Sequence, residues 1–214
     1  MRFLIFILLF SSIALSAQKR FVNSVHVDFF GNQVDGDGYG GYNHVGLQLG
    51  IGSLYKFKES FGGVGFEINY AQKGARVWPR PQLQQTQEFI FQLNYIEVPV
   101  YYVFEKWGLP FEFGPTFSYL LGSEYEFNGI SSKPNGVYRT YELGGVFSMN
   151  YKITENLFFK FRISNSISPI LKIDNGSFGN WTAGSWHRGA GLNITYYFTP
   201  PRFSNTPSKV DKSE

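Results

Sequence analysis

The sequence predicts an all-β chain folded as an eight-stranded antiparallel transmembrane up-and-down β-barrel. Three observations lead there. Apolar and polar residues alternate in about eight separate runs after residue 20, the connections between runs are alternately short and long, and aromatic residues gather at the short-turn ends of the runs. The segment from Asn156 shows the alternation cleanly: Leu157, Phe159, Phe161 and Ile163 lie on one face, and Lys160, Arg162 and Ser164 on the other.

The chain opens with Arg2, the apolar run Phe3 to Phe10, and the small residues Ala14-Leu15-Ser16-Ala17. Residues 1–17 read as a secretory signal peptide and are set aside from the fold. No later stretch holds eighteen uninterrupted apolar residues, so any crossing of a bilayer falls to strands. Roughly 195 residues remain, enough for one domain. With no cysteine, disulfides, thiolate metal sites, a cysteine nucleophile and a lipidated amino terminus are all excluded. Aromatics at 19% and 24 glycines, against 16% charged residues, suit short strands and tight bends. The net charge of +3 is spread along the chain, with no basic run of the kind that binds nucleic acid.

The expected strands are 20–30, 44–57, 61–73, 89–104, 110–122, 138–151, 156–164 and 186–198, each long enough to cross a tilted barrel wall. In the third, Val64, Phe66, Ile68 and Tyr70 alternate with small or polar residues. In the fifth, Phe111, Phe113, Phe117 and Tyr119 alternate with Glu112, Gly114, Thr116 and Ser118. A soluble sandwich shows the same period, so connection lengths decide between the two. The turns at 58–60, 105–109 and 152–155 are short, whereas 31–43, 74–87, 123–137 and 165–185 are long. That order fits an outer-membrane barrel with both termini in the periplasm. Tyr55, Phe57, Tyr102, Phe104, Trp107, Tyr151, Tyr196 and Phe198 form the expected interfacial girdle. In the fourth strand Phe89, Phe91 and Leu93 set one phase and Ile96, Val98, Val100 and Tyr102 the other. One extra residue is therefore expected near Asn94 and Tyr95, and Pro99 adds a second irregularity. The barrel domain spans 18–198, and 199–214, rich in proline, serine and charge, reads as a disordered periplasmic tail.

Three blocks carry a family resemblance. They are Gly65-Phe66-Glu67-Ile68-Asn69-Tyr70-Ala71-Gln72-Lys73-Gly74-Ala75, then Leu93-Asn94-Tyr95-Ile96-Glu97-Val98-Pro99-Val100, then Gly114-Pro115 with Tyr119-Leu120-Leu121. In this order they resemble the PorT-like outer-membrane β-barrel family of Bacteroidetes, most strongly over residues 62–122. The resemblance implies an eight-stranded barrel, and the family's named member is associated with protease export by the type IX secretion system. The usual ending at a terminal aromatic strand is extended here beyond Phe198, although Leu192, Ile194, Tyr196 and Phe198 keep the aromatic-apolar face.

With the bulky face toward lipid, Glu67, Lys73, Glu97, Glu112, Glu142, Lys160 and Arg162, together with His26, point into the lumen. Such a set serves either as a translocation path or as a structural ion-pair network, and the narrow interior of eight strands favours the network. Asp35-Gly36-Asp37-Gly38 hints at calcium, but Gly46 stands where a closing bidentate acid belongs, so a solvated turn is expected. Ser185, His187 and His44 bring hydrolase residue types to the loop side without a nucleophile motif. Trp78, Phe178, Trp181 and Trp186 are read as interface anchors, with glycan or protein binding as the alternative use. The expectation is a non-enzymatic protein of the bacterial outer membrane, without cofactor or metal, in a structural or accessory envelope role. The alternative is an accessory component of a type IX-like secretion apparatus or of small-solute uptake. Expected partners are outer-membrane lipid, the barrel assembly machinery, and envelope or secretion-system proteins.

Overall fold

The computed structural model describes residues 21–35, 41–57, 62–79, 81–83, 86–133, 136–171 and 185–201. The signal segment and nearly all of the C-terminal tail lie outside them, as do Phe178 and Trp181. Strands account for most of the described chain: β1 (Phe21–Asp35), β2 (His44–Lys56), β3 (Gly62–Val77), β4 (Phe89–Lys106), β5 (Leu109–Phe127), β6 (Ile130–Ser132), β7 (Tyr141–Lys152), β8 (Leu157–Ser166) and β9 (Trp186–Tyr197). The eight long strands run β4-β3-β2-β1-β9-β8-β7-β5, and pairing of β5 with β4 closes the ring. Every ladder is antiparallel, including the β1–β9 seam that joins the ends of the chain. Closure leaves no unpaired edge within the wall, which is what hydrocarbon demands of backbone N–H and C=O groups. No helix among the described residues is long and apolar enough to cross a membrane.

Tight turns on one rim follow from local chemistry. Trp107 and Gly108 both have positive φ, 58° and 77°, which defines the primed two-residue turn whose twist matches a hairpin. On the opposite rim Asn128 and Gly129, at 47° and 82°, make a second such turn. That turn corrects the expectation of a long connection over 123–137: β5 continues to Phe127, reverses, and pairs with the short β6. Asn-Gly between apolar runs is the strongest short-range hairpin signal, so this feature was readable.

The outer face is apolar. Val64, Phe66, Ile68 and Tyr70 on β3, Phe113, Phe117 and Tyr119 on β5, and Phe161 and Ile163 on β8 all project outward. Around the turn-side rim, ring contacts run from Phe21–Tyr55 (5.2 Å) through Tyr55–Phe57 (6.1 Å) and Phe57–Tyr102 (6.3 Å) to Phe104–Phe111 (5.4 Å) and Phe111–Phe147 (6.1 Å). Amphipathic rings at that height suit a membrane–water boundary.

The fourth expected strand behaves differently from its reading. β4 keeps a single phase: Leu93, Tyr95, Glu97, Pro99, Tyr101 and Val103 all face inward. The register does shift at Asn94/Tyr95, but the extra residue is Leu121 on β5, since Asn94 pairs with Gly122 and Tyr95 with Leu120. What changes along β4 is the chemistry of the interior it faces, from apolar near the loops to charged in the middle. Val98 and Pro99 fall between the ladder pairs Phe66↔Val100 and Asn69↔Glu97 on the β3 side, with register unchanged.

Candidate functional site: the barrel interior

Inward-facing residues form layers. At the turn side Val22, Leu54, Tyr101, Val103, Phe158 and Tyr197 make an apolar floor. At the loop side Val34, Ala75, Leu93, Tyr95 and Ile170 make an apolar roof, extended by Phe91, Leu120, Tyr138 and Leu171. Ile170 reaches the roof from the segment after β8, held by its N–H to the Ser185 carbonyl (2.8 Å) and by its own carbonyl accepting from Arg139 N–H (2.7 Å). Glycine makes room for this interior: a Cβ on Gly65 would lie 2.5 Å from the Tyr101 ring.

Between floor and roof lie the charges. Glu67, Lys73, Glu97, Glu112, Glu142, Lys160 and Arg162 all turn inward and are buried, as is His26. Arg162 on β8 grips Glu67 on β3 through both guanidinium ends, Nη1 to Oε2 and Nη2 to Oε1, each 2.8 Å. In the ring order β8 and β3 are four strands apart, so this bidentate pair spans the barrel's full diameter. The Arg162 Nε donates to Ser148 Oγ (3.1 Å). Lys160 pairs with Glu112 at 2.9 Å, His26 Nε2 sits 2.9 Å from Asn69 Oδ1, and Asn69 donates to Glu67 (3.2 Å). A Cβ on Gly50 would overlap that Asn69 amide, so glycine there lets His26 and Asn69 meet over β2.

Nearer the roof a second cluster centres on Lys73, which bridges Glu97 and Glu142, the latter at 2.8 Å. Glu142 also accepts His187 Nδ1 at 2.6 Å, and Glu97 accepts the Ser118 hydroxyl at 3.0 Å. Each apolar layer turns aromatic faces toward a lysine: Tyr95 of the roof lies 5.2 Å from Lys73, and Tyr197 and Tyr101 of the floor lie 5.8 and 6.0 Å from Lys160.

Sequence reasoning missed Asp28. It is fully buried on β1, two residues beyond His26 on the same face, and accepts Asn193 Nδ2 at 2.6 Å. Its flanking Val27 and Phe29 hide it in an apolar run, but their outward parity was the available signal. His187 was considered only with Ser185; its ring is bonded to Glu142, and Nε2 has no hydrogen-bond partner, so no Ser–His dyad is assembled. Of the Asp-Gly pairs, Asp35 is taken up by Arg188 (2.6 Å), and Asp37 lies outside the described residues. Among the described residues no group of His, Asp and Glu is arranged to hold a metal ion. Trp78 stacks under Arg76, whose guanidinium is 3.5 Å from the ring and bonded to Glu88.

A closed strand ring with a lipid-compatible outer face, aromatic rim and ion-paired interior defines an integral membrane β-barrel. Residues 17–172 match the outer membrane protein beta-barrel domain family, so the chain belongs to that family and is a protein of the bacterial outer membrane. The family is defined by a barrel domain rather than by a catalytic centre. The structure of Neisserial surface protein A is similar at 14% identity and a TM-score of 0.51, over 82% of this chain and 96% of that one. Ail, the attachment invasion locus protein of Yersinia pestis, aligns at 16% identity and 0.49 over 84% and 99%, respectively. A major outer membrane protein from Thermus thermophilus aligns at 14% and 0.47 over 83% and 99%. At these identities the first likeness supports the fold alone. No curated protein matches the chain in sequence.

Proposed function

We propose that the protein is a sealed barrel with a structural or accessory role in the envelope, its lumen closed by side chains rather than open to solutes. The observation that carries this reading is the Arg162–Glu67 pair across the full diameter, enclosed between an apolar floor and roof. An interior of eight strands is just wide enough for side chains to fill, and ions crossing this one would have to break buried pairs and then pass two apolar layers. Long connections outside and both termini in the periplasm complete the topology, with residues 1–17 removed on export and the tail beyond Phe198 left on the periplasmic side. Outer-membrane lipid and the assembly machinery that inserts barrels are the partners this placement requires.

The finer family reading is PorT-like. Glu67, Lys73 and Glu97 from its blocks fall on the adjacent strands β3 and β4 and anchor both charge clusters, which supports reading the blocks as barrel scaffolding. Service to a secretion apparatus is the second reading, favoured by that resemblance; co-purification of secretion-system proteins with the tagged barrel would raise it to first. The sealed reading is tested in a planar bilayer. The unmodified protein is expected to give no large steady conductance, and stable ion-selective openings would replace it with an uptake role.

A further inference from the structure

In the outer wall β5, β7 and β8 leave a notch of about 510 Å³. Its base is Gly145, the outward residue between Leu143 and Phe147 on β7, paired with Pro115 on one side and Asn165 on the other. Phe113, Phe147, Ile163 and Ile167 stand around it, all exposed. The first three belong to the apolar outer face, so the notch opens onto hydrocarbon. Two neighbouring glycines of β7 differ in what the wall asks of them. At inward Gly144 a Cβ would lie 2.6 Å from the Asn165 carbonyl oxygen and 2.7 Å from Thr116 Oγ1, so close packing requires glycine. At Gly145 a Cβ would meet nothing nearer than the Gly114 carbonyl oxygen at 3.8 Å, and its φ is not positive.

Neither wall packing nor backbone conformation calls for glycine at Gly145. A glycine inside a strand that serves neither purpose marks a place where a ligand comes close. Within the bilayer an unfilled dent forfeits dispersion contacts, and no water is at hand to fill it. An acyl chain is the filler that surrounds it. The loop-side end of the notch bears on the headgroup of that chain. Asn165 stands across the ladder from Arg188, which alternates outward on β9 and has a side chain 54% exposed. Arg139, also exposed, is fixed beside the same end by its Nε donating to the Leu171 carbonyl (3.2 Å), a little beyond Ile167 in the chain. Asp35 takes up the Nε of Arg188 at 2.6 Å, which leaves the two arginines one positive charge in excess. A lipid whose chain enters here presents its head to cationic side chains, and a head bearing phosphate complements them.

We propose that the notch over Gly145 seats one acyl chain of an outer-leaflet glycolipid whose saccharide-borne phosphate rests on Arg188 and Arg139. The test uses the full-length protein in phosphatidylcholine nanodiscs containing a small fraction of lipid A, either diphosphorylated or dephosphorylated, followed by native mass spectrometry of the lipid retained after gentle delipidation. The diphosphorylated form is expected to be retained about tenfold over the dephosphorylated one, the scale of one charge-assisted contact. Replacing both arginines, Arg139→Gln with Arg188→Gln, is expected to bring that ratio to about one. Gly145→Phe, which fills the notch, is expected to lower retention of both forms about tenfold without changing their ratio, the worth of roughly ten lost dispersion contacts. Val45→Phe, on the opposite wall, is expected to change neither. Heat-modifiable gel migration shows that each variant is folded. Equal retention of the two forms by the unmodified protein, or a ratio unchanged in the double arginine variant, would overturn the proposal. Unchanged retention in Gly145→Phe, or a dimer of the protein that this substitution dissolves, would do the same.

Discussion

The two charge clusters inside the barrel solve the same problem with different cations. The deeper one is built on Arg162, whose planar fork meets both oxygens of Glu67 while its Nε meets Ser148. The one below the roof is built on Lys73, a point charge shared between Glu97 and Glu142, each of which has a further donor in Ser118 or His187. Arginine fixes orientation across the diameter; lysine gathers neighbours and leaves each of them an alternative. Loss of the cation therefore has unequal consequences in the two places.

The largest expected effect is at Arg162. Arg162→Ala leaves Glu67 buried without its main partner, and the barrel is expected to lose about 3–5 kcal/mol in urea unfolding from bilayers, without gaining a selective conductance. Next is its sequence neighbour on the other face. Phe161→Arg places a charge against hydrocarbon near mid-wall and should cost about 2–4 kcal/mol, whereas Asn165→Arg, outward but at the loop-side rim, should cost about 0–1. Equal costs at both positions would mean that Phe161 lies no deeper in hydrocarbon than Asn165. Lys73→Ala is expected to cost less than Arg162→Ala, about 1.5–3 kcal/mol, because Glu142 keeps His187 and Glu97 keeps Ser118. Matching losses at Lys73 and Arg162 in the same unfolding assay would break the contrast between the clusters. The smallest effect belongs to an ion pair outside the barrel: Lys152–Glu155 at 2.7 Å has side chains 48% and 71% exposed, so Glu155→Ala should change stability by less than about 0.5 kcal/mol.

Most of the wall was legible because a strand that is wet on one side writes its two faces into alternate residues. Seven charged lumen positions and His26 could be named from parity alone. Asp28 obeyed the same parity, yet its bulky neighbours masked it. The floor and roof were harder. Tyr101, Phe158 and Tyr197 are as apolar as the lipid-facing residues beside them, so composition cannot tell which side they serve; only the parity they share with Glu97, Lys160 and Asn193 does. The same ambiguity misled the reading of β4, where Phe91 and Leu93 looked like a phase slip but are inward residues at roof level. The bulge itself was expressed on β5 because register is a property of two strands, and one sequence run shows only half of it.

The diameter-spanning pair also orders events in time. Arg162 and Glu67 are 95 residues apart, Lys73 and Glu142 are 69 apart, and Asn193 reaches back 165 residues to Asp28. None of these contacts is made by strands adjacent in the chain: Asn193–Asp28 comes into being only when β9 meets β1, and the other two only when the sheet has curved far enough to bring β7 and β8 across from β3. A half-built sheet in the membrane would hold its carboxylates and cations apart in a medium that penalises each alone. The interior thus rewards completion and little else, and insertion of this chain is expected to be all-or-none, with closure of the terminal seam as its committing step.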